Sequence, residues 1–373
     1  MKASLFSSTA LLRIKKYGYL FFLGVPSLML VSSYYLGNYW RAGNFFNFFT
    51  LAFTFGFIPL LDYLFGKDPF NPSDQDEVLG LTKQPYYSWL TLASVPILLG
   101  ILLTGGVVFM DGNFNLAGKI GWILSVGVVS SLLGINVSHE LIHKTSRIEQ
   151  WSGGVLLSMV IYGGFKVEHI RGHHVYVATP EDPSSAQYNE SLYHFLPSAY
   201  YRNFRNAWQF EFDRLKRQGK NRFHWSNELL WWYGLSVFWI VLFTFLFGKL
   251  GAIYFIGQSI VAFTLLEIVN YLEHYGLSRR LLENGRYETP TIFHSWNAHY
   301  LVTNLLLLEL PRHSDHHTAP RKRYQVLHQF EGSPEFPAGY PTMVLLALVP
   351  PLWRKIMNPR VEHYQKTHEL QAV

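Results

Sequence analysis

Six stretches of this chain are apolar for long enough to cross about 30 Å of hydrocarbon, and that fixes the solvent in which most of it must fold. They lie at 17–36, 45–65, 88–110, 120–137, 229–247 and 251–272. In lipid each backbone polar group has to be satisfied within its own segment, so spans of this length are helices. Only 15% of the residues are charged, against roughly 25% in soluble domains. The sequence predicts an all-α, polytopic membrane protein: six transmembrane helices in three hairpins, forming with their polar segments one domain over 1–373. The first span follows Arg13, Lys15 and Lys16 but is longer than a signal-peptide core and lacks a small-x-small cleavage site, so it is expected to be retained.

The connections alternate between short and long. The short ones carry only Arg41, Lys119 and Lys249, and the rest of the 31 Lys and Arg residues fall on the other side. The positive-inside bias therefore places both termini and the two long polar segments, 139–228 and 273–373, in the cytoplasm as a helical cap. A net charge of +6 suits that face to anionic headgroups or to an acidic protein partner. The basic run 202–222 reads as a solvated face or as a docking site for an electron donor. Nucleic acid fits poorly, because the face is pressed against a membrane. The Pro-, Asp- and Asn-rich linker 66–86 reads as a loop with turns. The apolar stretch 340–353 is too short to span and is expected along the interface or beneath the bundle.

The chain has no cysteine, which excludes disulfides, Cys-ligated zinc, iron–sulfur clusters and a built-in Cys₄ iron site. Any reducing equivalents must come from outside it. It has sixteen histidines, and nine of them cluster. HELIHK (139–144) places His139 and His143 at i, i+4, on one helical face where the fourth span ends. EHIRGHH (168–174) supplies His169, His173 and His174, the first two again at i, i+4. RHSDHH (312–317) supplies His313, His316 and His317, and His274 closes the sixth span. Each cluster has a carboxylate beside a histidine: Glu140, Glu168, Glu273 and Asp315. A ligating imidazole normally donates its second N–H to such an acceptor, although adjacent residues cannot always reach one another.

H-E-x-x-H by itself suggests a zinc peptidase, which needs two histidines, one further ligand and an open position. That would leave seven imidazoles without a role. Nine suffice for two ions with four or five nitrogens each, and open positions suit iron that must bind O₂. The bland readings are an interfacial surface or a pH sensor; a histidine-lined metal or proton transporter is a further alternative. His194, His224, His294, His299, His328, His363 and His368 are expected in packing or on the surface, with His294 and His299 the first candidates for extra ligands or supports. Asn136 continues the His139/His143 stripe, and Glu267 and Asn270 continue that of His274. Ionisable groups inside spans usually face the bundle interior or a site, so Glu267 and Asn270 are expected to support the metal centre, and Asp62 is a weaker case. The alternative is hydrogen bonding between helices.

In this order and spacing HELIHK, EHIRGHH, NYLEHYGL (270–277) and RHSDHH resemble the integral-membrane alkane 1-monooxygenase family of the membrane desaturase and hydroxylase superfamily. The resemblance runs from the first span through Trp353, and NYLEHYGL separates that family from fatty-acid desaturases. Pro311 departs from the family's usual Gln, and no fused rubredoxin domain is present. The resemblance implies two non-haem irons held by His139, His143, His169, His173, His174, His274, His313, His316 and His317, with O₂ as co-substrate and no haem, flavin or iron–sulfur cluster in this chain. It implies terminal hydroxylation of medium-chain n-alkanes in a bacterial inner membrane. Electrons would come from a separate acidic rubredoxin, reduced by an NADH-linked reductase. Relatives acting on aromatic methyl groups or fatty acyl chains are the alternative. An apolar tunnel from the bilayer to the metals is expected to present the chain end.

Overall fold

The computed structural model describes residues 8–72, 75–111 and 113–371, with side chains from 10 to 366, and among these there is no strand beyond isolated bridges between loops. The elements are α1 (Ser8–Gly18), α2 (Leu20–Tyr39), α3 (Phe49–Phe65), α4 (Gln75–Thr82), α5 (Pro85–Asp111), α6 (Leu116–Ile142), α7 (Arg147–Ser158), α8 (165–176), α9 (Leu192–Arg217), α10 (Glu228–His274), α11 (Leu301–Leu306), α12 (His313–Thr318), α13 (Tyr340–Ala347) and α14 (Pro350–Gln371). Four of them, α2, α5, α6 and α10, are long and apolar enough to cross a membrane, while α3 is apolar but shorter. The protein is therefore an integral-membrane helical bundle.

α10 runs for 47 residues but reverses at Gly248, where φ is 66° and ψ −163°. That left-handed conformation is one glycine adopts without steric cost. Beyond it the two arms fold back on each other: the Phe243 and Phe255 rings lie 4.8 Å apart, and Ser236 and Gln258 hydrogen-bond to the adjacent carbonyls of Ser158 and Met159. Both ends of α10 thus lie at one end of the bundle. α6 packs against the second arm through Gly127, where a Cβ would come within 2.4 Å of Val261; in lipid such small residues let helix backbones approach closely.

Side-chain caps fix the helix starts. Asn115 accepts the Gly118 N–H at 2.9 Å, and Asn227 accepts that of Leu229 at 3.0 Å, satisfying N–H groups that helix geometry leaves without partners. Three segments widen to π-helical winding: 53–57 in α3, 131–136 in α6 and 169–173 in α8. Such widenings are frequent at functional sites, and each of these borders a cavity or carries site residues.

The structure changes several expectations. α6 continues to Ile142, five residues past the end of the expected span at 137, and so carries HELI of HELIHK on a helix as its i, i+4 histidines require. The linker 66–86 contains α4 and the start of α5. Lys15, expected among the cytoplasmic charges that orient the chain, is 3% exposed and pairs with Asp68 at 2.6 Å and Glu309 at 2.8 Å. Asp68 and Glu309 also bind Arg312, each at 2.9 Å. Burial would raise the Asp68 carboxyl, but Lys15 and Arg312 outweigh it and hold it at about 2. This buried network ties α1 and the 66–72 loop to the residue just before His313. The stretch 340–353 does pack beneath the bundle: Tyr340, Met343, Ala347 and Trp353 are buried with Tyr271 and Tyr275.

Candidate metal centre

All nine clustered histidines meet at one end of the bundle and sort into two groups. Ligand-capable nitrogens of His139, His143, His169, His174 and His316 lie within 4.8 Å of one another, and so do those of His173, His274, His313 and His317. The sorting does not follow the sequence boxes. His169 pairs with His174 rather than with His173, because the π-winding of 169–173 brings i+5 under i. The i, i+4 expectation for His169 and His173 is corrected accordingly: they serve different groups. On α12, His313 and His317 keep their i, i+4 pairing, while His316 turns to the other group.

Within the groups Nε2 faces Nε2. The separations are 3.0 Å for His143–His169 and for His169–His174, and 3.1 Å for His174–His316. In the second group they are 3.2 Å for His173–His317, 2.9 Å for His313–His317 and 3.3 Å for His274–His313. Bare imidazole lone pairs repel at such distances unless a proton or a cation lies between them. Protons are disfavoured, because burial and then the neighbouring imidazoles push His143, His169, His174, His313, His316 and His317 well below the usual histidine range. The Nε2 of His139 is buried with no hydrogen-bond partner among the described residues. Buried nitrogens converging on one another in sets of five and four fit two non-haem metal ions with nitrogen ligands.

The second group is oriented by hydrogen bonds. His173 Nδ1 donates to Asp182 at 3.0 Å, and Asp182 also accepts from Ser185 at 2.6 Å and from the Ser184 N–H at 3.1 Å. His274 Nδ1 donates to the carbonyl of His294 at 3.2 Å. Glu273 lies 3.2 Å from His313 Nε2 and accepts from the Tyr340 hydroxyl at 2.7 Å. Asp182 escaped the sequence reading because it lies nine residues beyond His173, in a TPEDPSS turn without a histidine beside it; only that turn's Asp-Pro-Ser-Ser composition hinted at a carboxylate held in place.

The other carboxylates do different work. Glu140 pairs with Lys144 at 2.9 Å and accepts the Tyr324 N–H. Asp315 binds Lys322 and accepts the His328 N–H at 2.8 Å. Asp315 closes the 315–328 turn on itself, and Glu140 braces that turn against α6. Glu168 is buried, and one of its oxygens has no hydrogen-bond partner among the described residues. Glu267, fully buried, accepts from Tyr162, from Asn203 at 3.1 Å and from Asn270 at 3.2 Å, joining α9 to α10 without touching a histidine. Asp62 accepts the Thr303 N–H at 3.0 Å and so fastens the start of α11. His294 and His299 are buried outside both groups, whereas His194 is exposed. His368 lies outside the residues whose side chains are described.

Two cavities reach the five-histidine group, one at His139 and the other at His143 and His174. One, of about 160 Å³, runs among α2, α3, α6, α10, α11 and α13; Val25, Phe53, Ile58, Val129 and Leu265 line its apolar length, and Asn136, His139, Asn270 and Glu273 its polar end. The other, of about 420 Å³, is lined by His143, Lys144, Gln150, Lys166, Arg171, His174, Glu228 and Arg321. Ile142, Ile170 and Pro320 also form part of its wall, which is about half polar, and its charged residues are mostly basic.

A family model described as fatty acid desaturase matches residues 114–346. Over 100% of this chain and 98% of its own length, the alkane 1-monooxygenase 2 of Pseudomonas aeruginosa is 52% identical. The alkane 1-monooxygenase 2 of Alcanivorax borkumensis is 50% identical over 95% of this chain and 93% of its own. A second Pseudomonas aeruginosa protein, alkane 1-monooxygenase 1, is 50% identical over 98% and 96%.

Proposed function

The chain belongs to the fatty acid desaturase family and, within it, to the alkane 1-monooxygenases, and on that premise we propose how its residues carry out that reaction. It is an alkane-hydroxylating membrane enzyme: an n-alkane, O₂, two electrons and two protons give a 1-alkanol and water. The observation that carries this reading is the apolar cavity that begins among membrane helices and ends on His139 and Glu273. A hydrocarbon dissolved in lipid reaches the histidines that way without crossing water.

Two irons held by the five- and four-histidine groups would supply O₂ activation and oxidation of the C–H bond. The protein's part is positioning. Val129, Phe53 and Leu265 hold an extended chain with its end toward the histidines, so that internal carbons stay out of reach. Asn136, Asn270 and Glu273 give the cavity a polar end, where a product hydroxyl finds hydrogen-bond partners. Asp182 and the His294 carbonyl keep His173 and His274 in the tautomer that leaves Nε2 free.

Six spans result when the arms of α10 are counted separately and α3 is taken as a span. The histidine end, with the larger share of Lys and Arg, then faces the cytoplasm of a bacterial inner membrane. Electrons come one at a time from a separate acidic carrier of the rubredoxin type, served by an NADH-linked reductase. The basic cavity at His143 and His174 suits such a carrier.

The test is product analysis under ¹⁸O₂, with purified protein, iron, a rubredoxin, its reductase, NADH and a medium-chain alkane. One ¹⁸O at the terminal carbon is expected. Internal alcohols as the main products, or an alkene without oxygen, would refute the positioning role.

A further inference from the structure

α9 lies across both arms of α10, and the residues it touches fix its depth. At its N-terminal end the rings of Phe195 and Tyr271 are 5.4 Å apart. Tyr200 then hydrogen-bonds to Thr264 at 2.9 Å, and Trp208 stacks on Tyr233 at 5.8 Å. Thr264 lies ten residues inside the His274 end of α10 and Tyr233 five residues inside the Glu228 end, or roughly 15 and 8 Å along the axis. With the two arms of α10 taken as spans, as in the proposed topology, a helix resting at those levels runs where headgroups meet acyl chains.

Its outward residues divide accordingly. Tyr193, Tyr201, Phe204 and Trp208 share one stripe at helical spacing, and the first three are 59%, 67% and 54% exposed. His194, Arg205, Gln209 and Lys216 form the next stripe and are exposed as well. In the turn after α9, Phe223 and Trp225 are exposed, and Trp225 is joined through its carbonyl to the Trp231 indole at 2.8 Å. Trp231, Val237, Phe238 and Val241 continue the exposed apolar surface up the first arm of α10. Arg217 and Arg222 are exposed beside these aromatics, and Arg222 lies over the Phe212 and Phe223 rings.

We propose that α9 and the 218–227 turn form an in-plane anchor, with the aromatic stripe seated in the bilayer interface and Arg205, Lys216, Arg217 and Arg222 holding acidic phospholipid headgroups. Amphipathic helices with aromatic and basic faces bind interfaces in this way. Each Lys or Arg near an anionic surface strengthens the attraction roughly fivefold. The occupant is the bilayer because the aromatic stripe is continuous with the lipid-facing surface of α10. An acidic protein would contact the charges and leave the aromatics in water.

Because the chain has no cysteine, Phe204→Cys and Gln209→Cys each provide a unique position for a spin label in the full-length protein, reconstituted in nanodiscs of phosphatidylglycerol and phosphatidylcholine. The label at 204 should be reached by O₂ and shielded from a water-soluble nickel chelate, and the label at 209 should show the reverse. Equal access of the chelate to both would mean a solvated face or a protein dock, and would overturn the proposal. In native mass spectrometry, K216Q/R217Q/R222Q should retain on the order of 100-fold less phosphatidylglycerol than the unsubstituted protein, about fivefold for each charge removed, with turnover in detergent unchanged. Undiminished retention, or an equal loss in Lys119→Gln on the other side of the bundle, would place the anionic lipid elsewhere and also overturn it.

Discussion

Of the two histidine groups, the five-membered one touches both cavities, through His139 on the apolar side and through His143 and His174 on the polar side. Among the described residues the four-membered group lines neither; all four of its histidines are buried, and His173 and His274 are fastened by Asp182 and the His294 carbonyl. Similar chemistry is thus placed in two settings. The first borders an apolar and a partly polar cavity, and the second is buried and pre-oriented. The lesson is that one set of five imidazoles can meet two separate cavities, an apolar one at His139 and one bearing basic side chains at His143 and His174.

The harshest way to break this comparison is to remove one ligand from each group. His139→Ala and His274→Ala should each reduce turnover by more than about 100-fold, checked by alkanol formation at matched protein. Full activity in either would exclude that group from the chemistry. A milder change sharpens the difference: Asp182→Asn replaces the charged acceptor of His173 by a neutral amide, one end of which can only donate, and should weaken metal retention at the buried group by about 10–100-fold. Glu140→Gln, at a carboxylate that touches no imidazole, should leave retention nearly unchanged; chelator titrations followed by metal analysis distinguish the two. On the lipid side, Val129→Phe narrows the apolar cavity and should lower kcat/KM for longer alkanes relative to shorter ones by roughly tenfold per excluded methylene, with iron content unaltered.

The smallest effect is one of pH, away from both groups. Burial, with Arg312 and Lys67 next in importance, holds His299 at about 3, below its ordinary 6.5. A depressed histidine contributes stability that is complete above 6.5 and is lost as pH falls toward 3. The melting temperature in detergent should therefore decline below pH 6.5, and His299→Gln should flatten that decline between pH 6.5 and 4.

The motifs made the nine histidines and the helical class legible because both are local patterns: apolar length, and imidazoles spaced along a helix. What the sequence could not display was long-range. Partition of the histidines into five and four depends on π-winding at 169–173, which no residue type announces. Asp182 reaches His173 only through the fold of its turn. Lys15 looked like a topology charge but is the buried partner of Asp68, 53 residues away. Gly248 separates two apolar runs in the sequence, and the backbone there reverses while helical pairing continues on both sides.

The central claim is that two inequivalent nitrogen-ligated iron sites share one chain. Mössbauer spectroscopy of the ⁵⁷Fe-loaded, detergent-purified protein, with iron counted in the same sample, tests it most directly. Two irons per chain and two resolved quadrupole doublets of equal area are expected, only one of them shifting when Asp182 is replaced by Asn. A single iron per chain, or one doublet that responds as a whole to that substitution, would contradict it.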